Sequence, residues 1–504
     1  MSDIAEPQAA RVAAALSKVS LQTGAFINGR FASSASGKTM ATYSPIDGSK
    51  LADVAACDGV DVDQAVAAAR AAFEGGTWRQ ASPNERRETL LKLADLMEQN
   101  AEELALLETL DLGKPIYNTA TVDLPLTIQT VRYYAEAINK IYDEIGPSPS
   151  DALSMIVREP LGVVGAVTPW NFPLLMAAWK FAPALVTGNS VVMKPAEQTS
   201  LSLLRVAELM AEAGLPDGVF NVVPGDGPSA GKPLALHNDV DAVAFTGSTA
   251  VGKLIMGYAA QSNLKRVGLE CGGKSPQIVM ADCADLDAAA DAAAWGVFYD
   301  QGQVCTAGTR LLVQREIKDE FVEKVASIAN DLVPGDPLDP DTRFGSLVDG
   351  TQMDTVLGYI ARGASEGATL VAGGKQAYTQ SGGFYVEPTL FDGVKNDMAI
   401  AQEEIFGPVI STITFDTLDE AMAIANDSIY GLAAGIWTSN VNTAHIAGRR
   451  LRAGNVWVNC WDGSDITTPF GGFKQSGFGR DRSLHALDKY TELKTIWLQL
   501  SDKA

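Results

Sequence analysis

The sequence is poor in histidine, cysteine and positive charge. Only three histidines, His237, His445 and His485, occur in 504 residues. They are widely separated, which argues against an imidazole-rich metal centre. The five cysteines, Cys57, Cys271, Cys283, Cys305 and Cys460, are odd in number and include no Cys-x-x-Cys pair. That usage suits a reducing compartment and offers neither a disulfide framework nor a thiolate zinc cage, so no metal site is expected. Lys and Arg number 39 against 61 Asp and Glu, a formal charge of −22. Nucleic acid and anionic membranes reward clustered basic residues, so neither is expected as a partner. No apolar run is long enough for a bilayer span; the best, 173–186, is broken by Lys180 and Pro183. The N-terminus, MSDIAEPQAARVAAALSKVS, has an early acidic pair and Ala-rich helical character instead of a basic segment and apolar core. No signal peptide is expected, and the location is read as cytoplasmic.

What is present is an ordinary globular composition, 46% hydrophobic. The length fits two or three domains of about 100–200 residues, or one large α/β body. Residues 61–74 and 84–110 carry apolar side chains at helical spacing, the second stretch stopped by Leu112-Gly113 and Pro115. From 161 short β-rich runs (161–168, 190–194, 219–223, 242–247, 265–270) alternate with helical patterns. A second alternation follows: helix 285–299, strand 310–314, helices 317–332 and 351–365, strand 408–415, helix 417–427, strand 455–459. Strands separated by helices imply parallel pairing and a doubly wound sheet. The stretch 142–160 reads as an excursion and 490–500 as a lone strand, neither with an obvious partner. The expectation is an α/β fold of two doubly wound domains and a small protruding β element suited to subunit contact.

The chemistry concentrates in six stretches. In WGVFYDQGQVCTAGTR (295–310) Cys305 sits among Gly302, Gln303, Thr306 and Gly308, where backbone can approach a ligand closely. A lone cysteine is more often a buried small hydrophobe, but this polar, glycine-flanked setting suits a reactive thiol, which needs exposure and a stabilised thiolate. No histidine has a motif-like context; His445, in AHIAGRR, reads as a solvated helix residue. The better base is Glu270 in VGLECGGKSP (267–276), ending a strand between Val267, Leu269 and two glycines. Apolar neighbours raise a carboxyl's pKa toward the range of a general base; a salt-bridge partner is the plainer alternative. Asn171 in TPWNFPLL (168–175) is a neutral donor between two bulky rings, suited to an oxyanion or to a turn. Lys180 lies on a helix, and Lys194 and Glu197 just follow a strand, where a carboxylate can accept ribose hydroxyls. Gly247 and Ser248 in FTGSTAVG (245–252) open a helix that can seat a pyrophosphate, a weak signal alone. QEEIFGPV (402–409) supplies Glu404 and Phe406.

In this order, TPWNFP, KPAEQT, FTGST, LECGGKSP, QGQVCTAGTR, QEEIFGP and PFGGFKQSGFGR (469–480) resemble the NAD(P)-dependent aldehyde dehydrogenase superfamily, from FINGR (26–30) to YTELKTIW (490–497). HNDVDAVAFTGST and RDRSLHALDKYTELKTIW look like γ-glutamyl-γ-aminobutyraldehyde dehydrogenases and related ω-aminoaldehyde enzymes of polyamine breakdown. The resemblance implies an NAD-binding Rossmann-like domain (1–141 and 161–271), a catalytic domain (272–481) and an oligomerisation element (142–160 and 482–504), in a homodimer or homotetramer. It implies Cys305 as nucleophile and Glu270 as base. Asn171 and the Cys305 backbone N–H would form the oxyanion hole, with Lys180 tuning the proton relay. Thr168, Pro169 and Trp170 would line the cofactor strand end, Lys194 and Glu197 would hold the adenosine ribose, Gly247 and Ser248 the pyrophosphate, and Glu404 and Phe406 the nicotinamide riboside. Asp111 and Gln198 match positions that hold a structural monovalent cation in some relatives. Cys271 departs from the aliphatic residue many relatives carry there.

The implied reaction oxidises an aldehyde to a carboxylic acid through a thiohemiacetal and a thioester on Cys305, with NAD preferred over NADP because Glu197 repels a 2′-phosphate. For the substrate, Trp461, Asp462 and Asp465 in WDGSD (461–465) are placed to receive the amide or cationic end of an extended aminoaldehyde, or form an acidic surface loop. Trp179 and Phe470 form the tunnel walls or core. The alternatives are a broad-specificity aliphatic aldehyde dehydrogenase and a non-catalytic structural relative.

Overall fold

The apolar runs after residue 161 are four to seven residues long and buried from both sides, which favours central parallel strands over helices. In the computed structural model, which describes residues 7–501, they build a sheet centred on Val163–Val167, flanked by Ser190–Lys194 and Ala242–Thr246. The chain proceeds one way through Ser190–Lys194 to Phe220–Val222, then reverses to Ala242–Thr246 and Arg266–Glu270. These five strands are parallel. The reversal creates a switch point beside Val163–Val167, where ligand crevices open at the carboxyl ends of strands. Antiparallel strands close the edges: Ala25–Ile27 with Arg30–Ala32 on one side, and Gly477–Phe478, from the far end of the sequence, against Leu269–Glu270 on the other.

A second sheet runs Thr369–Ala372, Thr389–Asp392, Val409–Phe415, Arg310–Gln314, Pro276–Val279, Ala433–Trp437, Asn455–Val458, parallel except for its first pair. The α/β class expected from the sequence is the one observed. Pro276–Val279, Thr389–Asp392 and Ala433–Trp437 are not expected as strands, because runs of three to five buried residues show neither alternation nor helical period. The helix expected over 84–110 is two, Pro83–Gln99 and Ala101–Leu112. Asn100 divides them by turning its side chain back onto the Leu96 carbonyl at 2.7 Å. The second helix stops at Leu112 because Gly113 takes φ 76°.

The excursion and the tail were read as partnerless; they pair with each other. Thr491–Gln499 runs antiparallel to Ala152–Pro160 along its whole length, with Glu144–Gly146 beyond it. The opening acidic pair, Asp3 and Glu6, and residues 502–504 lie outside the described residues. The strongest apolar stretch, Pro173–Val186, is a helix with every residue buried. No helix among the described residues is long and apolar enough to cross a membrane.

Candidate active site

A cavity of about 640 Å³ opens at the switch point. Pro169, Trp170 and Asn171 reach it from the end of Val163–Val167, Gly247 and Ser248 from the end of Ala242–Thr246, and Glu270 from the end of Arg266–Glu270. Cys305, Glu404, Phe406, Trp461, Asp462 and Phe470 come from the other half of the chain, and Trp179 from the buried helix. Residues scattered over 300 positions therefore share one wall.

Cys305 follows a strained loop. Asp300, Gln301 and Gly302 are consecutively left-handed, at φ 49°, 55° and 75°. A side chain at Gly302 would also meet the Gly407 carbonyl at 2.1 Å, so only glycine fits. Non-glycine residues in this region cost on the order of 1 kcal/mol each and persist where surroundings enforce them. Here Gln303 enforces them, donating to the Asp300 carbonyl (3.2 Å) and accepting from Val348 N–H (2.9 Å). The two glycines after Glu270 have equally local reasons: a Cβ on Gly272 would lie 1.9 Å from Glu404 Oε2, and one on Gly273 would lie 2.5 Å from the Cys305 carbonyl.

Glu270 is buried, and its Oε1 has no hydrogen-bond partner. Burial, helped by the charge of Asp481, pushes its carboxyl up to about 8 against the opposing pull of Lys180, Lys489 and Arg480. The thiol of half-buried Cys305 is also pushed up, by burial first and then by Glu270, Glu404 and Asp462, with the Thr306 N–H opposing. The sequence suggested a stabilised thiolate; burial first, and the charges of Glu270, Glu404 and Asp462 after it, push this thiol the other way. Cys271 is buried and its thiol is pushed up to about 12, by burial and then by Glu270, so it is less acidic still than an ordinary thiol.

Asn171 is held at both ends. One N–H of its side chain goes to the Gln303 carbonyl at 2.7 Å, leaving the second hydrogen for another acceptor. Its own carbonyl accepts from Lys114 at 2.8 Å. That buried ammonium is balanced by Asp123 (2.6 Å) and Asp300 (3.3 Å), and sits 3.5 Å from the centre of the Phe172 ring. Lys180 is not part of the cavity wall. It ion-pairs with one oxygen of buried Asp481, while Lys489 takes the other. Burial pushes the Asp481 carboxyl up, but the two ammonium groups outweigh it and hold it below its ordinary range. Asp481, Lys489, Lys114 and Arg482 escaped sequence reading; the charge alternation Arg480-Asp481-Arg482 was the available signal.

The proposed cofactor contacts divide between two cavities. Ser248 caps the helix Thr249–Gln261, accepting from Val251 N–H at 3.3 Å. Glu404, pushed up to about 7 by burial, accepts from Gly273 N–H at 2.9 Å. Phe406 packs edge-on to Trp170 at 5.1 Å. Glu197 lies instead on a second cavity of about 720 Å³, its carboxylate 3.1 Å from buried Lys194. Thr168 is buried behind the strand end, donating its backbone N–H to Lys194, and is not in the cavity wall. Thr42 Oγ1 lies 3.0 Å from Asp111 Oδ1 and 3.3 Å from the Gln198 carbonyl, bringing those two residues together. Of the expected substrate contacts, Trp179 and Phe470 pack at 5.1 Å in the cavity wall with Trp461 and Asp462. Asp465 does not join them: it is not in the cavity wall, and one oxygen of its carboxylate accepts from the Thr467 N–H and hydroxyl.

A cysteine and a buried carboxylate with an unpartnered oxygen thus share one cavity at the switch point of a doubly wound parallel sheet. The chain belongs to the aldehyde dehydrogenase family, whose pattern matches residues 31–496. It is 51% identical to the NADP/NAD-dependent aldehyde dehydrogenase PuuC of Escherichia coli K12, over 96% of this chain and 97% of that one. Its fold is similar to the P. syringae indole-3-acetaldehyde dehydrogenase AldA, solved as a mutant in complex with NAD+ and IAA (TM-score 0.96, 57% identity, covering 97% of this chain and 99% of that one). It is also similar to the γ-glutamyl-γ-aminobutyraldehyde dehydrogenase of Burkholderia cenocepacia (TM-score 0.95, 57% identity, covering 98% and 99%).

Proposed function

We propose that the protein oxidises an extended aminoaldehyde to its carboxylic acid with NAD, Cys305 acting as nucleophile and Glu270 as base. The observation that carries this reading is the buried, unpartnered Glu270 on the same cavity as Cys305. Glu270 takes the thiol proton, and the Cys305 sulfur adds to the aldehyde carbon. The resulting alkoxide is held by the free Asn171 amide hydrogen and the Cys305 backbone N–H. The helix-capping pair Gly247 and Ser248, together with Glu404 and Phe406, fits a dinucleotide, since a glycine and a helix N-terminus leave room and partial positive charge for phosphate. Nicotinamide bound there supplies the acceptor for the hydride leaving the substrate carbon. Once Glu270 has passed the thiol proton on to solvent, it accepts a proton from the water that adds to the thioester left on Cys305; collapse of that adduct expels the sulfur, which takes up a proton again, and releases the acid. Lys180, through Asp481, sets the charge around Glu270. The half built on the first sheet is the cofactor side. The paired strands Ala152–Pro160 and Thr491–Gln499, with exposed Ile145, Leu493, Ile496 and Trp497, are the element for dimer or tetramer assembly.

Glu197 at the ribose repels a 2′-phosphate, softened by Lys194 beside it. The expected kcat/KM therefore favours NAD over NADP by about three- to tenfold, the range of one partly screened charge, and E197Q narrows that gap. A clear NADP preference in the wild type would remove Glu197 from the ribose.

For the substrate, the apolar walls and Asp462, the cavity's acidic residue besides Glu270 and Glu404, favour linear four-carbon ω-amino or γ-glutamylamino aldehydes. Compared by kcat/KM, these are expected to exceed acetaldehyde and benzaldehyde by about tenfold or more. A second reading, arylacetaldehydes, is favoured by the aromatic lining of Phe172, Trp179, Trp461 and Phe470 and by the likeness to AldA. The same panel decides, with indole-3-acetaldehyde included.

A further inference from the structure

Lys114 is fully buried, lies outside the wall of the catalytic cavity and takes no part in the reaction steps above. An ammonium is costly to bury, and a fold keeps one there only where its partners hold it. Here those partners come from three separate stretches of chain. Its Nζ donates to Asp123 Oδ2 at 2.6 Å and to the Asn171 carbonyl at 2.8 Å, and it ion-pairs with Asp300 at 3.3 Å. The turn that carries Lys114 is fixed from the opposite half of the chain. Gly113 takes φ 76°, where a side chain would also collide with Ser346 Oγ. The Gly113 carbonyl accepts from Ser346 N–H (3.2 Å), and Ile116 N–H donates to the Pro337 carbonyl (2.8 Å). Asp123 ends a π-helical turn, Thr119–Asp123, and its other oxygen accepts from the Tyr299 hydroxyl at 3.3 Å. The Tyr299 ring stacks on Phe172 at 6.5 Å, and Phe172 holds the Lys114 ammonium over its own face at 3.5 Å.

Two of the groups joined in this way belong to the two halves of the oxyanion site. Asn171 carries the free amide hydrogen, and Asp300 opens the left-handed run, Asp300 to Gly302, that leads to Cys305 and its backbone N–H. The direct tie between the halves is one hydrogen bond, from the Asn171 amide to the Gln303 carbonyl at 2.7 Å. A single hydrogen bond leaves its partners free to pivot about it. A second anchor, on the Asn171 main chain and tied to Asp300, removes that freedom. Oxyanion donors act only when they already point where the charge develops, and a displacement of about 1 Å can cost on the order of a hundredfold in rate. We infer that Lys114 is a positioning residue for the oxyanion site, clasping Asn171 to the Cys305 loop so that both donors face one point. This rests on the reading above in which Asn171 and the Cys305 N–H hold the alkoxide.

The experiment compares a reaction of Cys305 that develops an oxyanion with one that does not. With p-nitrophenyl acetate the sulfur bonds to the acyl carbon, the carbonyl oxygen takes the negative charge, and p-nitrophenolate then leaves. With iodoacetamide the sulfur displaces iodide from a saturated carbon, and no oxyanion forms. Both rates are followed across pH in the wild type, K114M, K114M/D123N and N171A, alkylation of Cys305 being read by peptide mass spectrometry. K114M/D123N removes one charge of each sign, so it leaves no unpaired Asp123 and carries the test where K114M does not fold. N171A is expected to slow acylation by about a hundredfold. K114M and the double variant are expected to slow it by about thirty- to a hundredfold while alkylation stays within about threefold of wild type. Aldehyde oxidation with NAD should lose kcat in the same proportion, with KM little changed. Equal losses in acylation and alkylation would make Lys114 structural and overturn the positioning role. Acylation at the wild-type rate in a folded Lys114 variant overturns it as well. If N171A itself acylates at the wild-type rate, the oxyanion assignment fails, and the role of Lys114 fails with it.

Discussion

Cys305→Ala is expected to abolish aldehyde-dependent NADH formation, by at least about four orders of magnitude, as removal of a nucleophile from a cooperating site does. The substitution removes one sulfur from a half-buried position on the wall of an existing cavity, so it opens little new void and should leave the fold intact. Circular dichroism and NAD binding by fluorescence quenching check that. The other cysteines are poorer substitutes: Cys57, Cys283 and Cys460 are not in the cavity wall, and Cys271, which is, is buried where Cys305 is only half-buried. Turnover within tenfold of wild type in the alanine variant would remove Cys305 from the chemistry and revive the non-catalytic or non-thiol alternatives.

The second large effect is expected at Glu270. Its carboxyl is raised to about 8 by burial and by Asp481, and it must be ionised to accept a proton. Activity should therefore be low at acidic pH, where the carboxyl is protonated, and climb as pH rises through about 8. Glu270→Gln keeps the shape and removes the proton acceptor. It is expected to lower kcat by about two to four orders of magnitude and to flatten that rising limb. Because the proposed mechanism uses the same residue for thiol activation and thioester hydrolysis, both the first turnover and the steady state should slow. A variant that keeps the wild-type pH profile would show that another group is the base. The flanking charges give the limb a further signature. Lys180 and Lys489 both lower the Glu270 pKa, so neutralising either moves the limb to higher pH.

Much of this site was legible before any coordinates, because its residues sit at the ends of recognisable strand patterns. Glu270 closes Arg266–Glu270, Asn171 follows Val163–Val167, and Ser248 opens Thr249–Gln261, all positions that α/β topology directs toward a crevice. The second sheet was less legible: Pro276–Val279 and Ala433–Trp437 are short, apolar and buried throughout, so they carry no period to read. Asp465 shows the same limit from the other side. Its loop composition was right for a polar contact, but the fold leaves it off the cavity wall, with one carboxylate oxygen turned to the N–H and hydroxyl of Thr467.

The sequence by itself determined the class of the fold, and it singled out a thiol, Cys305, and a carboxylate, Glu270, that the fold brings to one cavity. Only the tertiary structure decided how the charges balance. Lys180 and Lys489 are 309 positions apart, yet both reach Asp481, and the excursion at Ala152–Pro160 finds its partner in the tail at Thr491–Gln499. Chain order carries no record of such pairings, because burial makes a charge depend on whatever the fold brings within a few ångströms, and a strand on whichever edge it meets.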